Sequence, residues 1–174
     1  MPIWKRSVVL VLALLLQWPA HAAEPEYNLG VIAYRAQDYA DARQHWEKSV
    51  AEGNIDAMNN LGFLLHTAQG GPRDQKRAVS LWTQAAKKGQ SESQWHLAQA
   101  SESGEGTDPD PVEAYAWYRC AIVSISVNVR DEDERETLAM AKNDLLRVLD
   151  QLPEEQVAAA EKRARRYIAA FALK

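Results

Sequence analysis

Residues 57–89 read AMNNLGFLLHTAQGGPRDQKRAVSLWTQAAKKG, and they predict two helices joined by a tight turn. Gly70-Gly71 breaks the first helical stretch, and paired glycines are turn residues. Asp74 then stands where a carboxylate caps a helix, because its oxygen accepts from backbone N–H groups that have no partner in the first turn and favours the positive helix end. Ala78 and Trp82 are four residues apart, so they share one face. The small Ala lets a neighbouring helix approach and the indole fills the space beside it. Gly89 ends the second helix.

The same pattern recurs at a step of 36 residues. Asp38, Asp74 and Asp110 form one column; Ala42, Ala78 and Ala114 another; Trp46, Trp82 and Tyr118 a third, with Trp117 beside the last. Gly53 and Gly89, Leu61 and Leu97, and Gly70 and Gly106 keep the step, and Gly104-Glu105-Gly106 closes the third turn as Gly70-Gly71 closes the second. Pro111 follows Asp110 at the first helical position. A repeat in the thirties of residues predicts an all-α solenoid of antiparallel helix pairs.

On these columns the sequence resembles the Sel-one-like repeat, a relative of the tetratricopeptide repeat. That pattern runs A-x-x-x-L-G, a glycine-rich turn, an Asp, then A-x-x-x-W-x-x-A-A-x-x-G; Ala57, Leu61, Gly62, Gly70, Asp74, Ala78, Trp82, Ala85, Ala86 and Gly89 match it. The next unit keeps Leu97, Gly104, Gly106, Asp110, Ala114, Tyr118 and Ala121 but departs at Ser93, Ala98 and Ile125. Losing the last Gly implies a helix that runs past the usual stop. A shortened first unit fits at Tyr39, Ala42, Trp46 and Gly53. The resemblance implies a protein–protein interaction scaffold with no shared catalytic residues.

Working outward, the N-terminus differs in kind. Lys5 and Arg6 precede the apolar run SVVLVLALLL of residues 7–16, broken at Pro19 and followed by Ala20-His21-Ala22. Basic residues, a short apolar core and a small-x-small site make residues 1–22 a signal peptide, cut after Ala22 or after Ala23. The run is shorter than the ~20 residues that span a bilayer, and no cysteine follows it to carry a lipid. Cleavage removes two bases and no acid, so the mature chain is more acidic than the formal charge of −4. The expected location is periplasmic or secreted, without stable membrane insertion.

Composition excludes several classes. The 174 residues hold 20 basic and 24 acidic side chains, against a nucleic-acid surface as the main function. One cysteine, Cys120, excludes an internal disulfide framework and multi-cysteine metal sites. In the run CAIV it reads as a small buried hydrophobe, with an intermolecular disulfide or reactive thiol as the alternative.

Eight helices are expected, at about 26–36, 38–52, 55–68, 74–88, 91–103, 110–127, 133–150 and 154–172. The β-branched stretch VSISVNV at 123–129 reads as a helix end plus loop, since a lone strand has no partner. Residues 23–127 form the repeat domain, about two and a half to three units, and 128–174 a helical cap. The cap's expected stripes are Leu138, Ala141, Leu145, Leu146 and Leu149, then Val157, Ala160, Ala164, Ile168 and Phe171.

No catalytic constellation stands out, and no cofactor or metal is expected. His45, His66 and His96 lack zinc-type spacing, and no G-x-S-x-G elbow or phosphate loop occurs. Lys162-Arg163-Ala164-Arg165-Arg166 reads as a solvated helix face rather than an anionic-partner or membrane patch, and Asp131-Glu132-Asp133-Glu134 as a solvated helix start rather than a cation site; Glu105, Asp108 and Asp110 read likewise. Binding to a protein or peptide segment is expected in a groove along the first helix of each pair, at Tyr34, Asn59, Asn60, Phe63, His66, Gln94, Trp95, His96 and Gln99. Trp95 and Tyr34 are its aromatic anchors, although Trp95 also reads as core. The competing functions are an envelope hydrolase acting on wall fragments or β-lactams, and a structural part of a polysaccharide-export or wall-assembly machine. The single cysteine counts against the first, because the repeat relatives discussed as hydrolases are rich in disulfides.

Overall fold

The computed structural model describes residues 24–127, 129 and 132–172; the expected signal peptide lies outside them. The described residues form helices and no strand: α1 (Glu24–Arg35), α2 (Tyr39–Ala51), α3 (Ile55–Thr67), α4 (Gln75–Lys87), α5 (Ser91–Ser103), α6 (Pro111–Val127), α7 (Glu132–Gln151) and α8 (Glu154–Tyr167), closed by a π-helical turn (Ile168–Ala172). The fold is an α-solenoid. Each helix from α1 to α6 packs on its successor, α6 also holds α7 and α8, and the final turn reaches α4.

Capping sets the helix starts. Asp38, Asp74 and Asp110 accept from the backbone N–H groups of Asp41, Arg77 and Glu113 at 2.9–3.1 Å. A second capping column accompanies the first. Asn54 caps α3 through Ala57 N–H, and Gln90, one 36-residue step later, caps α5 through Ser93 N–H. The units also interlock through glycine. At Gly70 and Gly106 φ is positive, and a Cβ would strike the carbonyls of Tyr39 and Gln75, the first residues of α2 and α4. Each turn therefore seats against the helix start of the preceding unit, where a side chain has no room.

Each tryptophan column has a matching glycine. Trp82 is 2% exposed; its indole N–H donates to the Asn59 carbonyl at 3.2 Å. A Cβ on Gly62 would lie 2.5 Å from the Trp82 Nε1. Trp46 repeats this with Gly30 and the Tyr27 carbonyl. In the third unit Ala98 replaces the glycine and Tyr118 the tryptophan, so the narrower ring leaves space for the added methyl. The Tyr118 hydroxyl donates to Glu102 at 2.8 Å.

The adjacent Trp117 turns the other way. Its ring stacks on Phe171 and lies beside Tyr167. Its N–H donates to Glu113, which also accepts from Tyr167 and Arg163. The basic run is thus only partly a solvated face: Arg163 is half-buried and pairs with Asp110 and Glu113. Residues 132–134 of the acidic run form the first turn of α7; Glu132 and Asp133 are solvated as expected but Glu134 is buried, and residue 131 is outside the described residues.

One expected stripe needs correcting. On α8 and the closing turn the expected residues pack on the core, and on α7 Ala141 is buried and Leu145 packs on the core as expected, but the buried line there also takes in Glu134, Thr137 and Val148. Leu146 is 63% exposed and Leu149 lies outward too, because among the described residues α7 presents its packed side to α6 and α5. Cys120 is fully buried, and burial pushes its thiol up to about 12, so it is an inert core side chain.

Candidate binding groove

The first helices of the pairs, α1, α3 and α5, line a groove that α7 walls on one side. It has two lobes of about 690 and 540 Å³ that share Phe63, Trp95 and His96 as a ridge between them. His66, Gln99, Glu102, Glu105, Arg147 and Gln151 line the first lobe. Tyr27, Val31, Tyr34, Arg35, Asn60 and Glu92 line the second, with Asp133 and Thr137 from α7.

The ridge is a continuous aromatic stack that begins in the core. His96 stacks on Trp82 at 4.8 Å and lies 5.0 Å from Trp95 and 6.1 Å from Phe63, centroid to centroid. Burial, with a smaller contribution from His66, pushes the His96 imidazole down to about 4, against an opposing hydrogen bond from Gln99. The neutral ring is therefore the native form near pH 7. Unfolding restores a pKa near 6.5, so the unfolded chain binds more protons below that value. His96 then contributes its full stability above about pH 6.5 and loses it as pH falls toward 4. We expect acidification through this window to lower stability by roughly 3 kcal/mol, and His96→Phe to remove that part of the slope in melts taken across it. An unchanged slope in the variant would contradict the enclosed neutral imidazole.

Polar groups tie the wall to the floor. The Trp95 indole N–H donates to Asp144 at 2.9 Å. Arg147 donates to Glu102 and Asp144 at 2.7–2.8 Å, and these contacts hold the Glu102 carboxyl below the usual range. Asn59 donates to Glu92 at 2.7 Å and accepts from the Ser93 hydroxyl at 2.9 Å. His66 pairs with Glu105 at 3.1 Å, while its buried Nδ1 has no hydrogen-bond partner.

Of the sequence-predicted residues, Tyr34, Asn59, Asn60, Phe63, His66, Trp95, His96 and Gln99 come together along this groove. Asn59 is only 3% exposed and acts as floor. Tyr34 packs on Tyr39 and Trp46. Trp95 is half-buried, joining wall and ridge. Gln94 does not belong with them. It is wholly buried, donating to the Ala86 carbonyl at 3.1 Å and accepting from Ser124 at 2.7 Å. It occupies the column of Met58, one 36-residue step earlier, and that column is core.

The α7 wall was missed, Arg147 and Gln151 included, because the repeat spacing gives no signal there. Tyr27 was legible in principle. The turn of the first unit is four residues shorter, which puts Tyr27 in the column of Asn59 and Trp95. The surface offers aromatic faces, amides and carboxylates to a ligand. Among the described residues no three His, Cys, Asp or Glu side chains are grouped to hold a metal ion, and no helix is long and apolar enough to cross a membrane.

The family model described as Sel1 repeat matches residues 26–54, 55–90 and 91–122, more than half the chain. The chain belongs to the Sel1 repeat family. The matched units correspond to α1–α2, α3–α4 and α5 with most of α6, so α7 and α8 lie beyond the last matched Sel1 repeat. Among solved structures, the chain is similar to a protective antigen present in uropathogenic Escherichia coli strains that displays an SLR fold. Its TM-score is 0.76 at 25% identity, over 87% of this chain and 31% of that one. It is also similar to a Sel1 repeat protein from Oxalobacter formigenes, with a TM-score of 0.60 at 23% identity, over 81% of this chain and 55% of that one. The chain thus spans about a third of the first structure and about half of the second. No curated protein matches the chain. Sel1 repeat proteins generally mediate protein–protein interaction.

Proposed function

We propose that this Sel1 repeat protein is a non-catalytic adaptor of the cell envelope whose groove holds an extended segment of another protein. The observation that carries the reading is the aromatic ridge of Phe63, Trp95 and His96 between two open lobes. Aromatic side chains on a preformed surface give large contact area at low entropic cost. Export rests on the N-terminal residues, with their basic start, short apolar run and Ala20-His21-Ala22 site.

The test uses protein recovered from the native envelope, expected to begin at Ala23, and a partner captured on it by crosslinking. Trp95→Ala is expected to weaken that partner at least tenfold, as for an interface anchor. Unchanged affinity in a variant that melts like the parent would overturn the groove reading. Hydrolysis of wall fragments or β-lactams by the purified protein would overturn the adaptor reading.

A further inference from the structure

The groove's charge is one-sided, and this bears on what enters it. The second lobe is lined by Glu92 and Asp133 together with its aromatic rings, with Arg35 as the base among the described residues. A smaller recess of about 290 Å³ continues from it, lined by Tyr27, Asn60, Asp56 and Glu92 among others. In the first lobe stands Glu105, half-exposed and paired only with the His66 imidazole among the described residues. The base there, Arg147, already carries two carboxylates, Glu102 and Asp144.

Helix polarity explains part of this pattern. Asp56, Glu92 and Asp133 stand in first turns, where acids complement the dipole. It does not explain why Glu92 is drawn inward onto the Asn59 amide. Burial, and the nearby Asp56 and Glu134 carboxylates, hold Glu92 above the usual range, so the lobe concentrates negative charge at a cost that an incoming cation would relieve.

Resting on the adaptor reading above, we propose that the groove's partner is a basic extended segment, with an apolar residue on the Phe63–Trp95 ridge and an arginine or lysine side chain reaching Glu92 and Asp133. The Trp95 and Tyr27 rings supply faces along which a guanidinium stacks. An acidic segment meets like charge at both ends of the groove and is disfavoured.

The experiment pans a random nonapeptide display library on the purified protein. Binders are then synthesised and their affinities measured for the parent, Glu92→Gln, Asp133→Asn and Trp95→Ala, at low and high salt. Enrichment of Arg or Lys beside an aromatic or aliphatic residue is expected, with affinity falling about threefold to tenfold in each carboxylate variant and on raising salt. Asp133 is exposed, so Asp133→Asn carries the test if Glu92→Gln melts early. Enriched peptides without basic residues, or basic peptides indifferent to both carboxylate variants, overturn the proposal. If those peptides still lose affinity in Trp95→Ala, the adaptor reading stands and only this inference falls. If nothing is enriched, or binding ignores all three variants, both fall.

Discussion

Trp82→Ala is expected to lower folding stability by about 3–5 kcal/mol, measured by denaturant unfolding, and to lower the melting temperature by about 10 °C. The indole is 2% exposed, and its burial removes roughly 150–250 Å² from water. It rests directly on the Gly62 backbone, where no side chain exists to relax into the hole. Its N–H is the donor to the Asn59 carbonyl, and His66 and His96 pack on its ring at 5.3 and 4.8 Å. The variant therefore loses the support of the groove ridge as well as core volume. A loss below about 1 kcal/mol, the size of a surface change, would remove Trp82 from the core. The third unit suggests the compensating test. Gly62→Ala alone overpacks the ring and is destabilising. Combined with Trp82→Tyr, it recreates the Ala98–Tyr118 pairing, so the two changes together should cost less than their sum.

The second large effect is expected at the other end of the array. Trp117→Ala should cost about 3–5 kcal/mol and should loosen α8 before the rest. The ring is 2% exposed, stacked on Phe171 at 5.7 Å and beside Tyr167 at 4.5 Å. Its N–H also helps to place Glu113, the carboxylate on which Arg163 and Tyr167 converge. Repeat arrays couple mainly through nearest neighbours, so hydrogen exchange should quicken in α8 and the closing turn well before α1 and α2 respond. Equal acceleration along the whole chain would contradict this, and would mean that the last helices are not a separately coupled layer.

Where sequence and structure agree, the reason is periodic chemistry. Asp38, Asp74 and Asp110 cap helices, and Trp46 and Trp82 fill the same hole in successive units; a column that recurs needs only local physics to be read. The helices of the repeats were legible for that reason, including the run of α6 through the β-branched stretch to Val127, and α7 and α8 from the spacing of their own apolar residues. The groove was legible where residues of the first helices interrupt those columns, at Asn60, Phe63 and His66. It was not legible where long-range partners decide. Gln94 looks like a surface amide until Ala86 and Ser124 are seen to enclose it. Arg163 looks solvated until Asp110, fifty-three residues away, meets it. The α7 stripe misled at Leu146, because apolar periodicity marks a face without saying whether a neighbour stands there.

The central claim, that the groove and not the outer surface meets another protein, is tested most directly by a photoreactive residue placed at Gln99 in the native cell. A control carries the same group at Gln84 on the exposed face of α4. One discrete crosslinked protein is expected from Gln99, absent from Gln84 and lost when Trp95→Ala is added. The same band from Gln84, or its persistence in the Trp95→Ala variant, would contradict it.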